Sequence, residues 1–426
     1  MVKKLSGHVF IVGGDKESSL VSLSSDRGSS ISSKGSRDKI WARWFNSGLA
    51  HETDKEPQIL LDLVKNNNLQ MPLLNTNVDF CIGNGIGLFT REQLNGKTRL
   101  NPAQDPIIEK WMEENSVNIA MNELATDLYY TGNYFLEGIL RGDRSMSSVQ
   151  HKHPTDCRAE IIDSHTGRIE HYYVGDFAGG KAKYDVSAPN DPKKSTVKKV
   201  KSFNSLYPSA KFIWHGKQYF PGQKYYGIPQ WWGVKNWIRL SNQIPVFHLS
   251  GLTKGYNIRW HIKIPLSYFE QFPEAQRQSE EDDILGDLDA LLSGAENHGK
   301  AFISRFSDEK KYPEWKIEPL KGELYDEAYK DIFMHSNTAL SSANGVDPSL
   351  AGYDTAGKLS SGSEKKNSYN IHIALKTPRP REILLKWLYD VQKINKWNPA
   401  VVFAFKDFEI TSTDVNPTGV QNTVAA

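Results

Sequence analysis

Residues 323–397 read "ELYDEAYKDIFMHSNTALSSANGVDPSLAGYDTAGKLSSGSEKKNSYNIHIALKTPRPREILLKWLYDVQKINKW". Leu324, Tyr325, Ile332, Phe333 and Leu340 recur at spacings that suit one face of a helix. Asn344-Gly345 and Asp347-Pro348 then carry stop and turn chemistry. The small and polar residues from Gly352 to Ser363 offer too little apolar surface to order themselves. A second long helical pattern follows. Pro378 and Pro380 lie inside it, and each lacks an N–H and crowds the preceding turn, so a kink is expected there. Beyond the kink, Ile383, Leu384, Trp387, Leu388, Val391 and Ile394 form an apolar face.

Working outward, the segment before this stretch is a small α/β piece, residues 256–322. "IRWHIKIP" alternates as a strand, Glu274 to Leu292 is helical with an acidic run Glu280–Asp283, and "KAFISRF" and "EWKIEPL" are further strands. Before that, Pro229 opens a helix to about Leu252. Lys235 and Arg239 stand at i, i+4 in it, and Pro245 is expected to kink or end it. The first half carries an amphipathic helix expected over Pro106–Tyr130, with Gly132 at its C-terminal cap. Thr53 and Glu56 have capping-box spacing ahead of "PQILLDLV". From His151 to Phe220 the pattern is β, with a hairpin turning at Ser164–Gly167 and a basic excursion carrying Lys193, Lys194, Lys198, Lys199 and Lys201. Residues 1–38 contain a short apolar piece, His8–Val12, and then become Ser-rich, so a disordered arm is expected. The fold class is α+β.

The chain has 426 residues, enough for two or three domains or one elongated subunit, and 38% of it is hydrophobic. Its 11 Trp and 18 Tyr suit a surface partly buried in an assembly, or an aromatic-rich core. A net charge of +2 is not the strongly basic balance of a tight nucleic-acid binder. Two cysteines, Cys81 and Cys157, make no disulfide framework. His151, His153, Cys157, His165 and His171 match no zinc spacing, so neither metal nor cofactor is expected. No apolar run approaches the roughly 18 residues of a membrane span, and the N-terminus lacks a secretory pattern. A phosphate loop, a paired-carboxylate motif and a nucleophile motif are all missing, so the chain is not expected to be an enzyme.

The order of elements resembles the portal proteins of tailed bacteriophages, in the branch with short, roughly 400-residue subunits. The resemblance spans about residues 70–395. Its carriers are "LATDLYYTGNYFLEGI", "YYGIPQWWGVKNWIRL", "GAENHGKAFI" and "ANGVDPSLAG". Val346-Asp347-Pro348 departs from the family's Val-Pro-Pro step, and the Ser-rich first 38 residues have no counterpart in it. The resemblance implies a wing (39–228), a first stem helix (229–255), a clip (256–322), a second stem helix (323–346), a tunnel loop (347–362), a kinked wing helix (363–398) and a short C-terminal strand and tail (399–426). It further implies a homo-oligomeric ring, a dodecamer, at one capsid vertex, with double-stranded DNA passing through it. The terminase large subunit, a head-tail adaptor and the major capsid protein would be partners, and no membrane. The chain would reside in the virion, and in host cytoplasm during assembly.

On that reading Lys358, Lys365 and Lys366, with Gly352, Gly357 and Gly362, form the tunnel loop facing DNA. Lys235, Arg239, Glu323, Asp326 and Glu327 line the channel from the stem. Tyr268, Phe269, Phe272, Glu280, Glu281, Asp282 and Asp283 on the clip meet the packaging motor. A conduit must not grip its cargo, and a near-neutral chain with an acidic second stem helix fits that requirement. The competing classes are a nucleic-acid-processing enzyme or accessory domain, with the basic excursion near Lys193 as its contact, and another virion component, an adaptor or capsid protein.

Overall fold

The computed structural model describes residues 3–6, 9–11, 40–44, 54–94, 96–177, 179, 181–254, 258–293, 300–306, 315–319, 326–352 and 362–409. The fold is α+β in two compact units. One comprises Met1–Asp26 with Leu240–His335, the other Arg27–Arg239 with Ser336–Ala426. The chain changes unit inside two helices, Lys235–Lys254 and Asp326–Asn344.

The larger unit is built on a six-stranded sheet in the order Met146–Lys152, Asn133–Leu140, Lys211–Lys217, Lys198–Ser202, His171–Val174, Cys157–Ala159. Neighbours are antiparallel except Lys211–Lys217 with Lys198–Ser202. Side chains alternate between faces with period two. Phe212 and Trp214 therefore join the main core, shared with the helices, while Ile213 joins Phe135, Val200, Tyr172 and Trp44 in a second cluster. Burial on both faces explains why "NYFLEGIL" reads as a nearly unbroken apolar run. A three-stranded antiparallel sheet, Val401–Phe405, Ile86–Leu94 and Lys97–Pro102, brings the C-terminal strand back beside the first half of the chain.

The helices depart from the expected bounds in informative ways. The expected single helix over Pro106–Tyr130 is two, Pro106–Glu114 and Val117–Thr131, broken where Ser116 takes a φ of +48°. Asn115 drives the break. Its amide donates to Trp111 O (3.0 Å), and its carbonyl accepts from Val149 N (3.1 Å) on a sheet strand. Ile107, in the first turn of the first of these helices, is exposed. Asp105, not a capping box, starts the first of these helices by accepting from Ile107 N and Ile108 N. Thr53 lies outside the described residues, and Glu56 begins its helix with no side-chain cap. Gly132 does end Val117–Thr131 in the left-handed region (φ +76°); a Cβ there would stand 2.6 Å from Pro229 N.

Proline acts differently at its two interior sites. The expected kinked helix is a pair, Gly362–Lys376 and Pro378–Ile394, with Pro378 in the first turn of the second, where its missing N–H costs nothing. Pro245, however, neither ends nor splits Lys235–Lys254. One proline removes a single ladder bond, and packing such as the stacked Phe247 and Tyr329 rings, 5.0 Å apart, holds this part of the helix in place.

The smaller unit is a five-stranded sheet in the order Lys3–Ser6, Val9–Ile11, Lys300–Phe306, Ile258–Pro265, Lys316–Pro319. Ile258–Pro265 and Lys300–Phe306 are parallel, and the helix Arg277–Ser293 makes the long connection that parallel pairing requires. Ile262, Ile264, Phe269, Leu285 and Ile303 form its core. The expected disordered arm is corrected for its first residues. Lys3–Ser6 and Val9–Ile11 form a hairpin that pairs with Phe302–Ser304. The apolar residues Val9–Ile11 find their partner in a sheet edge some 290 residues away, which local composition cannot register. The Ser-rich remainder of the arm lies outside the described residues.

Candidate functional site

The stretch that opened the sequence reading converges on one place in the larger unit, the root of the expected tunnel loop. The helix Asp326–Asn344 ends as Gly345 takes a φ of +63°. Asn344 is buried and faces Gln70, which is wholly inaccessible. Its Nδ2 donates to Gln70 Oε1 (2.9 Å) and to Leu340 O (2.8 Å), and Gln70 Nε2 donates back to Asn344 Oδ1 (3.4 Å). Asn77 Nδ2 donates to Asn344 O (3.3 Å). A polar lock thus fixes the helix end to the helix Gln70–Ile82 while Leu340 and Val346 pack into the core.

Asp347, the departure from the family's step, has a defined use. One carboxylate oxygen accepts from Ser349 N (3.0 Å) and Ser349 Oγ (2.9 Å), capping the short 3-10 turn Pro348–Ala351. The other accepts from Ser368 Oγ (3.1 Å) on the helix that follows the loop. Both roots of the loop therefore meet at one side chain. Gly352 leaves the turn in the left-handed region (φ +78°). Gly357 and Lys358 lie outside the described residues; Gly362 opens the helix, and Lys365 and Lys366 stand half-buried in its first turn. One turn before the break, His372 is buried against the Phe80 ring (5.2 Å, edge-on). Burial holds its pKa below the usual histidine range, although the Gly345 main chain partly offsets this. Past the break, Arg381 donates to Cys81 O (2.7 Å), Phe80 O (3.0 Å) and Asp407 (2.5 Å). It caps the orphan carbonyls of the Gln70–Ile82 helix and ties them to the chain after the C-terminal strand.

The stem residues separate. Lys235 does not project as a channel cation. Its ammonium pairs with buried Glu56 (3.1 Å) and lies 3.5 Å over the Trp232 ring. Arg239, one turn on, is exposed and its guanidinium accepts no such burial; Nη1 donates to Asn236 Oδ1 (2.8 Å). Glu323 lies outside the described residues, as do the side chains of Asp326 and Glu327.

The clip residues separate too. Phe269 is core, not contact surface, and Tyr268 and Phe272 are half-buried against it. Tyr268 also meets Trp315 edge-on at 5.2 Å. The acidic run is not one patch, because Glu281 is buried, Glu280 is half-buried, and only Asp282 and Asp283 are exposed.

Sequence reasoning overlooked two polar clusters. Arg158 is fully buried beneath the second core. It donates to Asp54 Oδ2 (2.7 Å), Asp54 O (2.7 Å), Thr155 O (3.0 Å) and Cys157 O (2.8 Å). His151 Nε2 meets Asp127 Oδ2 at 2.6 Å, with Glu123 Oε2 3.6 Å from Nδ1. Burial alone would depress the His151 pKa, but the bond and charge of Asp127 raise it on balance; burial raises Asp127. Among the described residues no group of three or more His, Cys, Asp or Glu could hold a metal ion, and no helix is long and apolar enough to cross a membrane.

No protein-family model and no curated protein matches the chain. Among solved structures, a chain from the neck of an empty gene transfer agent (GTA) particle, computed with C6 symmetry, is similar at TM-score 0.51 and 13% identity. The likeness covers 82% of this chain and 85% of that one. A chain of the virion of a native GTA particle has TM-score 0.49 at 13% identity, covering 87% and 88%. One from the neck of a native GTA particle, computed with C12 symmetry, has 0.48 at 14%, covering 82% and 83%. Across most of its length, this chain shares its fold with the chain from the neck of the empty particle.

Proposed function

We propose that the chain is a portal subunit, a structural virion protein without catalytic activity that assembles into a homo-oligomeric ring, a dodecamer, at one capsid vertex. Double-stranded DNA enters and leaves the head through the ring. The terminase large subunit docks on the smaller unit, and a head-tail adaptor and the major capsid protein are further neighbours. The observation that carries this reading is the extent of the fold likeness, which covers 82% of this chain and reaches a chain from a particle neck computed with C6 symmetry. A six-fold operator is contained in a twelve-fold ring. The motif order "YYGIPQWWGVKNWIRL", then "GAENHGKAFI", then "ANGVDPSLAG" supports the finer assignment.

Asn344, Asp347 and Arg381 fix the helices on either side of the loop. Lys365 and Lys366 at its far root offer a sparse positive edge to passing phosphates. Few contacts keep the salt-dependent affinity low, as a conduit needs. The assembly state tests the reading. Native mass and negative-stain microscopy should give about a dozen copies in a closed ring with a central hole. A chain that stays monomeric under all assembly conditions, yet binds duplex DNA tightly with strong salt dependence, would favour the nucleic-acid-processing alternative.

A further inference from the structure

The sheet of the smaller unit has two unlike edges. The Lys316–Pro319 edge is blunted by its own sequence. It is four residues long, ends in proline, and carries Lys263 Nζ 2.6 Å from Glu318 Oε2 across the pair. Short length, proline and charge are the usual guards of an exposed edge. On the other side, the seven-residue strand "KAFISRF", 300–306, has Ile303 in the core; it is nearly twice as long, contains no proline, and carries charge only at Lys300 and Arg305. It pairs along its length with Ile258–Pro265. Its outer side is covered by the register Phe302↔Ile11, Ile303↔Phe10, Ser304↔Val9.

That cover is held by three residue pairs and belongs to a hairpin that cannot stand alone, since two isolated strands are marginal in water. The hairpin needs a sheet edge, and every copy of the chain presents the same one. The 28 residues from 12 to 39 separate it from Ile40. They span at most roughly 100 Å, and closure cost grows slowly with such a length, so the connection does not select the chain's own edge over a neighbour's. In a ring, the neighbour's edge is present at the effective concentration of a tethered partner, of order millimolar.

We infer that the outer edge of Lys300–Phe306 is an interchain docking site, occupied in the assembled ring by the Lys3–Ile11 hairpin of a second copy. This inference rests on the ring reading above. Each copy gives one hairpin and receives one, so no strand pairing is lost. The contact is head-to-tail, the kind that closes into a ring under a rotation. Main-chain pairing supplies the affinity, as in other strand additions.

Val9→Cys and Ser304→Cys stand opposite in the register, and the native Cys81 and Cys157 are buried. Chains carrying one substitution each are mixed, assembled, examined for rings by negative stain, oxidised, and separated without reductant. A covalent pair of the two chain types is expected, and the doubly substituted chain should give a ladder of multimers. A second pair, Ile11→Cys with Phe302→Cys, guards against local misfolding. Rings that form while the double variants yield only intrachain bonds, or none in either pair, overturn the exchange and leave the ring reading intact. Absence of rings overturns both.

Discussion

The Asn344→Ala substitution probes the lock at the loop root. It deletes a buried carboxamide that makes two bonds with Gln70 and one with Leu340 O. A net intramolecular hydrogen bond is worth about 0.5–1.5 kcal/mol, and each buried group left unpaired costs about 1–3 kcal/mol. The 3.4 Å bond is weak, so it adds little. The larger loss is the Gln70 amide, which has no access to water once its partner is gone. The sum is about 3–4 kcal/mol. Gln70→Leu should cost somewhat less, about 2 kcal/mol, because Asn344 keeps its bond to Leu340 O. With Asn344→Ala and Gln70→Leu combined, no polar side chain of the pair remains to be desolvated, so the double variant should recover about 2 kcal/mol relative to the sum of the singles. Urea unfolding, read as a shift in midpoint at constant slope, measures all three. Hydrogen exchange at 345–352 should quicken in Asn344→Ala, because the helix end that positions Asp347 is no longer fixed. Additivity within about 0.5 kcal/mol would refute the lock and make Asn344 an ordinary helix terminus.

The Asp127–His151 pair should make stability depend on pH. The folded-state pKa of His151 is raised, so its contribution is full below the unfolded value near 6.5 and is lost as pH rises through the folded value. Asp127→Asn should flatten that slope in thermal scans between pH 6 and 8. Phe269→Ala should destabilise the smaller unit by about 3–5 kcal/mol by emptying its core, detectable as lost exchange protection in Ile262–Ile264, whereas Asp282→Lys with Asp283→Lys should leave stability unchanged and weaken motor docking in a pull-down. Lys365→Glu with Lys366→Glu should leave ring formation intact and reduce DNA packaging in reconstituted heads; unchanged packaging removes both lysines from the mechanism. Lys235→Met should instead lower stability by about 2–4 kcal/mol, since it strands buried Glu56.

Much of the architecture was legible because its signals are local. The alternation of "IRWHIKIP" and "KAFISRF", the Gly132 cap, and the proline break before Arg381 all act within a few residues of themselves. What escaped the sequence is long-range. The break at Asn115 depends on Val149, and Asp347 on Ser368. The N-terminal hairpin depends on an edge near residue 303. In each case a polar or strand-forming residue is ambiguous alone and is decided by a partner that the local pattern does not contain.

The candidate site divides along the same line, with one instructive exception. Lys235 and Arg239 were paired by their i, i+4 spacing, but Glu56, 179 residues earlier, takes the first of them, and no local rule could supply that partner. The acidic run Glu280–Asp283 is different, because its division is local. Successive helical residues turn by about 100°, so four in a row sweep roughly 300° and cannot share a face. A helix beside "IRWHIKIP" must bury part of that sweep, and Glu281 is the part it buries. A docking face on this helix would be sought at residues three and four apart from Asp282 and Asp283. Asp287, exposed and four residues after Asp283, extends the acidic surface in the direction the helix allows.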